Sequence, residues 1–235
     1  MQRRQFLRSS LLFGAAGSIP GVALAASQLS GDTSSRTGLT LPPLSDSEMY
    51  DLLVHAIRKE HLELLTTLIR QGADFHAKDE NGWTLLHNAV FYRASIEVIR
   101  YCISLGMDVN EATNDGRTPL LDAAANRSFG AVEYLVAQGA DVNAKDVTGR
   151  TPLHEATKQL VNVKVVQCLI AQGADVSARD FRGKTALDYL LQREAEFVEL
   201  RKDATDDTNA SAIETWNRHI KQVREAIELL RQAAG

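Results

Sequence analysis

Aromatic residues make up only 6% of this 235-residue chain, which holds two cysteines and five prolines. Each shortage excludes something. A chain poor in aromatics has to build its core from Leu, Ala and Val. Two cysteines cannot make the disulfide framework of a small secreted scaffold. The most apolar stretch, Leu11 to Leu24, is diluted by Gly14, Gly17, Pro20 and Gly21. It falls short of the roughly 20 strongly apolar residues that a membrane span requires. There is no glycine-rich phosphate loop and no serine elbow. His154-Glu155 does not continue into a zinc helix, which needs a second His one turn on. The formal net charge of -4 speaks against a nucleic-acid partner, because phosphate binding is driven by clustered Lys and Arg. An enzyme reading therefore lacks a converging acid, base and nucleophile, and no cofactor site is expected.

What is present begins at the N-terminus. Met1-Gln-Arg3-Arg4-Gln-Phe6-Leu7-Arg8 precedes the dilute apolar run, and Ala23-Leu24-Ala25 supplies small residues for cleavage before Ala26. The pattern resembles a twin-arginine export signal. It implies a signal peptide over 1–25, delivery to the periplasm and no membrane anchor after cleavage. The alternative is a short N-terminal helix of the fold. Removing the first 25 residues would move the net charge from -4 to -7, since they hold Arg3, Arg4 and Arg8 and no acid. Residues 26–45, rich in Ser and Thr with Pro42-Pro43 near the end, read as a flexible linker.

The rest of the chain repeats itself. Gln71-Gly72-Ala73-Asp74, Leu105-Gly106-Met107-Asp108, Gln138-Gly139-Ala140-Asp141 and Gln172-Gly173-Ala174-Asp175 have glycines 34, 33 and 34 residues apart. A second glycine follows ten residues later in each, at Gly82, Gly116, Gly149 and Gly183. After it come Thr84-Leu85-Leu86-His87, Thr118-Pro119-Leu120-Leu121, Thr151-Pro152-Leu153-His154 and Thr185-Ala186-Leu187-Asp188. The period and the T-P-L-H signature resemble the ankyrin repeat, over residues 46–235. The resemblance implies an all-α solenoid of helix-turn-helix units joined by hairpin-like fingers. The units run at about 46–79, 80–113, 114–146, 147–180 and 181–235.

Each landmark has a physical task. The threonines N-cap the first helix of a unit. Pro119 and Pro152 take the next position, where a missing N–H costs nothing. Gly72, Gly106, Gly139 and Gly173 end the second helix in a left-handed conformation. Ala123, Ala124 and Ala156 let neighbouring helices approach. The departures are informative too. Ser45-Asp-Ser-Glu48 reads as a capping box that opens the first unit. Units two and four carry one extra residue near Arg93-Ala94 and Leu160-Val161, which predicts longer turns there. In the last unit the helical pattern continues to about Lys202. A second capping box, Ser211 to Glu214, then opens a stripe of Ile213, Trp216, Ile220, Val223, Ile227 and Leu230. That stripe seals the solenoid by packing on Leu187, Leu190, Leu191, Phe197 and Val198, or it forms a ridge for a partner.

His87 and His154 sit two units apart, roughly 20 Å at ordinary helix spacing, too far to share a metal. The resemblance implies a structural, hydrogen-bonding role for both. Cys102 and Cys168 are likewise two units apart, beyond the ~7 Å a disulfide allows. Cys102 falls on a core position, and Cys168 on a partly exposed one with room for a redox role.

The resemblance also implies a protein partner of unknown identity, bound through the finger tips and the first-helix face. On that surface this chain places Trp83, Arg117, Arg150 and Lys184, each following a finger glycine. Phe181 joins them at a finger tip, with Phe91, Tyr92, Asp122, Glu155 and Tyr189 on the first helices. A Trp near two aromatics has the composition of a binding hot spot; ordinary surface variety is the plainer reading. Three roles compete: a periplasmic adaptor or stabilising partner, an inhibitor or immunity protein that blocks a toxin or enzyme, and an enzyme.

Overall fold

The computed structural model describes residues 45–158, 161–203 and 210–234. The proposed signal peptide and nearly all of the linker lie outside those residues. Among the described residues ten helices follow in order: α1 (Asp46–Arg58), α2 (Leu62–Arg70), α3 (Leu85–Phe91), α4 (Ile96–Ser104), α5 (Pro119–Ala125), α6 (Phe129–Ala137), α7 (Pro152–Lys158), α8 (Val163–Ala171), α9 (Ala186–Asp203) and α10 (Ala210–Ala234). Among the described residues there is no strand. The odd-numbered helices stack in sequence as an inner layer, and α4, α6, α8 and α10 stack behind them.

The helices start where the sequence placed their caps. Ser45 and Glu48 close a reciprocal capping box on α1. The Thr84 and Thr118 hydroxyls accept from the backbone N–H groups of His87 and Leu121. Thr185 and Asp188 make the same reciprocal pair at the start of α9. The outer helices end in a repeated turn. Gly72, Gly139 and Gly173 donate to the carbonyls of Ile69, Val136 and Ile170, and the alanine after each donates to a leucine one residue further back. This is the Schellman pattern. The inner helices use the same closure without glycine: Glu60, Arg93 and Arg127 take φ of 56°, 58° and 58°.

The longer turn of unit two falls where expected: residues 92–95 separate its helices, against 59–61 and 126–128 in units one and three. The one expected near Leu160 falls outside the described residues. The core follows the repeat: Leu86, Ala89, Leu120, Ala123, Ala124 and Leu153 are fully enclosed between inner helices, and Val132, Leu135, Val166 and Leu169 fill the outer layer.

The last unit is enlarged. α9 runs 18 residues and α10 runs 25, where α3 and α4 have seven and nine. α10 begins at Ala210 rather than after Ser211, so the second predicted capping box lies inside the helix instead of opening it. Ile220, Val223, Ile227 and Leu230 are buried with Leu190 and Phe197, which supports the sealing role. Leu191 departs from that expectation and stays 39% exposed. Both cysteines are free thiols; Cys102 is buried, and burial pushes its pKa up to about 12.

Candidate protein-docking surface

Each finger is a tight turn tied by one side chain. The Asp79, Asp146 and Asp180 carboxylates accept from the N–H two residues on, at Asn81, Thr148 and Arg182. They accept again from the N–H four residues on, at Trp83, Arg150 and Lys184. In the second finger Thr113 takes this position, and its hydroxyl accepts from Arg117 N–H. Successive fingers are joined by single backbone bonds: Asn114 N to Asn81 O, Val147 N to Asp115 O and Phe181 N to Thr148 O, at 2.9, 2.9 and 3.0 Å. The fingers therefore form one continuous row.

The two signature histidines lock that row to the helices. The Nδ1 atom of His87 accepts from Thr84 N–H, which leaves Nε2 to donate to the carbonyl of Arg117 in the next finger at 3.0 Å. His154 repeats the arrangement with Thr151 and the carbonyl of Lys184, at 3.2 and 3.1 Å. Both rings are neutral Nε2–H tautomers in this arrangement, and burial holds the His87 pKa below its ordinary value. The structural role assigned to them is what the geometry shows. Asn110 and Asn143 add a second link, each donating to the glycine carbonyl of the next unit and accepting from the Asp N–H two residues further on. His76 occupies the equivalent position in the first unit and stacks on Phe75 instead.

The sequence-predicted binding residues divide into three groups. Asp122 and Glu155 are corrected: they are 3% and 6% exposed, not part of an open face. The Arg117 guanidinium folds inward on Asp122 at 2.7 Å and lies 3.8 Å from Asp146. Arg117, Arg150 and Lys158 surround Glu155 Oε1 at 3.9, 3.8 and 3.6 Å. Burial opposes the Arg117 charge, but Asp122, Glu155 and Asp146 outweigh it and hold its pKa above the usual value. These charges lie on the fingers and first helices, but each has its partner inside the chain.

The second group is half-buried. Trp83 is not the open finger residue that the sequence suggested. It packs edge-on against Phe91 at 5.1 Å and near His87 at 5.9 Å, while its carbonyl accepts from Tyr50. Tyr189 donates to Asp180 at 2.6 Å and lies under Lys184 and Arg150. Lys184 also reaches Gln192.

The third group faces solvent. Tyr92 is 36% exposed, beneath the Arg58 guanidinium. Phe181 is 80% exposed at the tip of the last finger. Its neighbour in the row, Val147, is 52% exposed and was missed; the signal was available, since both stand two residues before a finger glycine. Lys145, Arg179 and Arg182 are exposed around them. Gly149 sets the position of the Phe181 ring: at φ 77° a Cβ there would be strained, and it would also meet Phe181 Cδ1 at 2.8 Å. The first two fingers end differently, in exposed Glu80, Asn114 and Asp115, with Lys78 bound to Glu111 at 2.6 Å. The row thus changes from acidic to apolar and basic along its length.

The family model described as ankyrin repeats in three copies matches residues 53–146, and a single ankyrin repeat matches 148–181, together more than half of the chain. The chain belongs to the ankyrin-repeat family. Among curated proteins, a 67-residue stretch is 42% identical to protein phosphatase 1 regulatory subunit 27 of Mus musculus, covering 28% of this chain and 43% of that protein. A putative ankyrin repeat protein of Rickettsia felis is 36% identical over 75 residues, 32% of this chain and 20% of its own length. One from Fowlpox virus is 42% identical over 59 residues, 25% and 12% respectively. The chain spans less than half the length of these curated relatives. Ankyrin repeats bind proteins. No helix among the described residues is long and apolar enough to cross a membrane.

Proposed function

We propose that this ankyrin-repeat chain is an exported, non-catalytic binding protein that holds another protein against its finger row, as a periplasmic adaptor or stabilising partner. The observation that carries the reading is Phe181. A large apolar ring, 80% exposed, is fixed over Gly149 beside Val147 and framed by Lys145, Arg179 and Arg182. Exposed apolar groups gathered on one edge mark contact sites, and three cations beside them favour a partner segment with acidic residues around a large apolar side chain. The mouse relative supports the non-catalytic part, since its name makes it a regulatory subunit. Export rests on Arg3-Arg4 and the small residues before Ala26.

The test places a photoreactive phenylalanine at position 181 of the full chain and identifies cross-linked adducts in the periplasmic fraction. One dominant protein adduct is expected. Phe181→Ala and Arg182→Glu should each weaken affinity for that protein by at least tenfold while leaving the melting temperature unchanged. Adducts that arise only from a probe at Tyr92 would move the interface to the other end of the row. Replacing Arg3 and Arg4 by lysine tests export separately: undiminished periplasmic accumulation would exclude the twin-arginine route.

A further inference from the structure

The enlarged last unit contains a titratable ring that the docking surface does not use. His219 lies on α10, half-buried, and stacks on Phe197 of α9 at 5.5 Å and 30° between ring planes. Trp216 meets the same histidine edge-on at 6.0 Å and Phe197 at 5.5 Å, so three rings close the hairpin where it overhangs the ordinary repeat. The Nδ1 atom of His219 is buried without a hydrogen-bond partner. This is the reverse of His87 and His154, whose two ring nitrogens are both engaged.

We propose that His219 makes the C-terminal hairpin a pH-sensitive clasp, closed while the ring is neutral and released when it takes a proton. A neutral ring needs only one donor satisfied, whereas the protonated ring carries an N–H at both nitrogens. The Nδ1–H would then be buried with nothing to receive it. The charges around it make matters worse. Arg218 on the same helix and Arg127 from the α5–α6 turn both oppose a proton on His219, and burial does so more strongly still. From α9, Arg193 places a cation 5.7 Å from the centre of the Phe197 ring that His219 stacks on. Of the α9 carboxylates, Glu196 is bound to Arg193 at 2.9 Å, Glu194 to Arg224 and Asp188 to the Thr185 cap. The charged residue of α8, the other helix packed on α10, is Lys164 at its exposed start. Because the closed state disfavours the proton and the open state does not, closure is complete above the ordinary histidine pKa of about 6.5 and weakens as pH falls below it. Uptake of one proton shifts the opening equilibrium by up to about tenfold per pH unit.

The full chain with Trp83→Phe leaves Trp216 as the sole tryptophan. Acrylamide quenching of its fluorescence should rise several-fold between pH 7 and pH 5. His219→Phe keeps the stack and removes the titration, so its quenching should stay flat. Arg127→Asn, which suits the left-handed turn, removes a charge that opposes the proton in the closed state, so it should move the opening midpoint to lower pH, the reverse of what loss of packing would produce. A parent whose quenching does not change, or a His219→Phe variant that responds as the parent does, would overturn the proposal. Should Trp83→Phe disturb folding, hydrogen exchange on the unsubstituted chain serves instead. Corrected for intrinsic rates, peptides from 213–230 should exchange at least tenfold faster at pH 5 than at pH 7, while peptides from α3 and α5 keep their protection. Loss of protection in α3 and α5 in step with α10 would mean global unfolding and sink the clasp.

Discussion

The middle units and the last unit are held together by different physics. Between units two and five the joints recur: a backbone bond from finger to finger, a histidine reaching the next finger from units two and four, and the Asn110 and Asn143 amides. The last described unit is locked by a block of rings and aliphatic side chains between two long helices. Recurrent polar joints fix register, since each has one geometry. Apolar closure supplies area but tolerates movement. A solenoid thus needs the first kind inside and the second at its end.

The sharpest break in this comparison comes from the core. Leu120→Ala, in the fully buried centre, should cost about 3–4 kcal/mol and lower the global urea midpoint. Phe197→Ala should cost a similar local amount, but it should appear as early exchange in α9 and α10 with the middle units still protected. One joint loss for all units in both variants would show that the chain has no separable end.

The charged cluster should come next. Arg117→Met leaves Asp122 and Asp146 buried without their cation, and about 3 kcal/mol should be lost. A double-mutant cycle with Asp122→Asn isolates the pair. A coupling near zero would assign the cost to packing instead.

Smaller effects sharpen the account of the joints. Asn143→Ala removes two hydrogen bonds at 3.1 and 2.7 Å and should cost about 1–2 kcal/mol. His76→Asn should do the reverse, adding about 1 kcal/mol by supplying the missing amide link to the Gly106 carbonyl and Asp108 N–H. Last comes pH. The His87 pKa lies below its ordinary value because of burial, so the folded state binds fewer protons than the unfolded one. The stability it brings is full above about pH 6.5 and declines as pH falls, by at most about 1.4 kcal/mol per unit. Urea midpoints at pH 7.5 and 5.5 for the parent and His87→Gln measure the difference.

The fold was legible because its signals are local. A cap needs one hydroxyl at one position, a helix stop needs one glycine, and the same signals recur at a fixed period. Even the longer turn of unit two could be counted from spacing. The docking face was less legible. Asp122 and Glu155 occupy positions that face outward in a repeat diagram. They are covered because Arg117 and Arg150, five residues earlier in the same units, fold across them, and Arg117 also approaches Glu155 of the next unit. Trp83 was misplaced because Phe91, eight residues on, packs against its ring. Phe181 is exposed, as a finger tip should be, because no further finger among the described residues packs on it.

The His76 exception has a mechanical consequence. A chain pulled along the finger row loads its joints in series, so the joint with the fewest cross-links yields first. The joint between the first and second units has α1 packing on α3, the Lys78–Glu111 pair, Arg58 over the Tyr92 ring and the Tyr50 hydroxyl's bonds to Trp83 and Asn88, but His76 gives it no counterpart of the Asn110 and Asn143 links. Under tension the rod should part there, peeling α1 and α2 away as one piece while the three-unit block behind them, braced by Asn110 and Asn143, keeps its length.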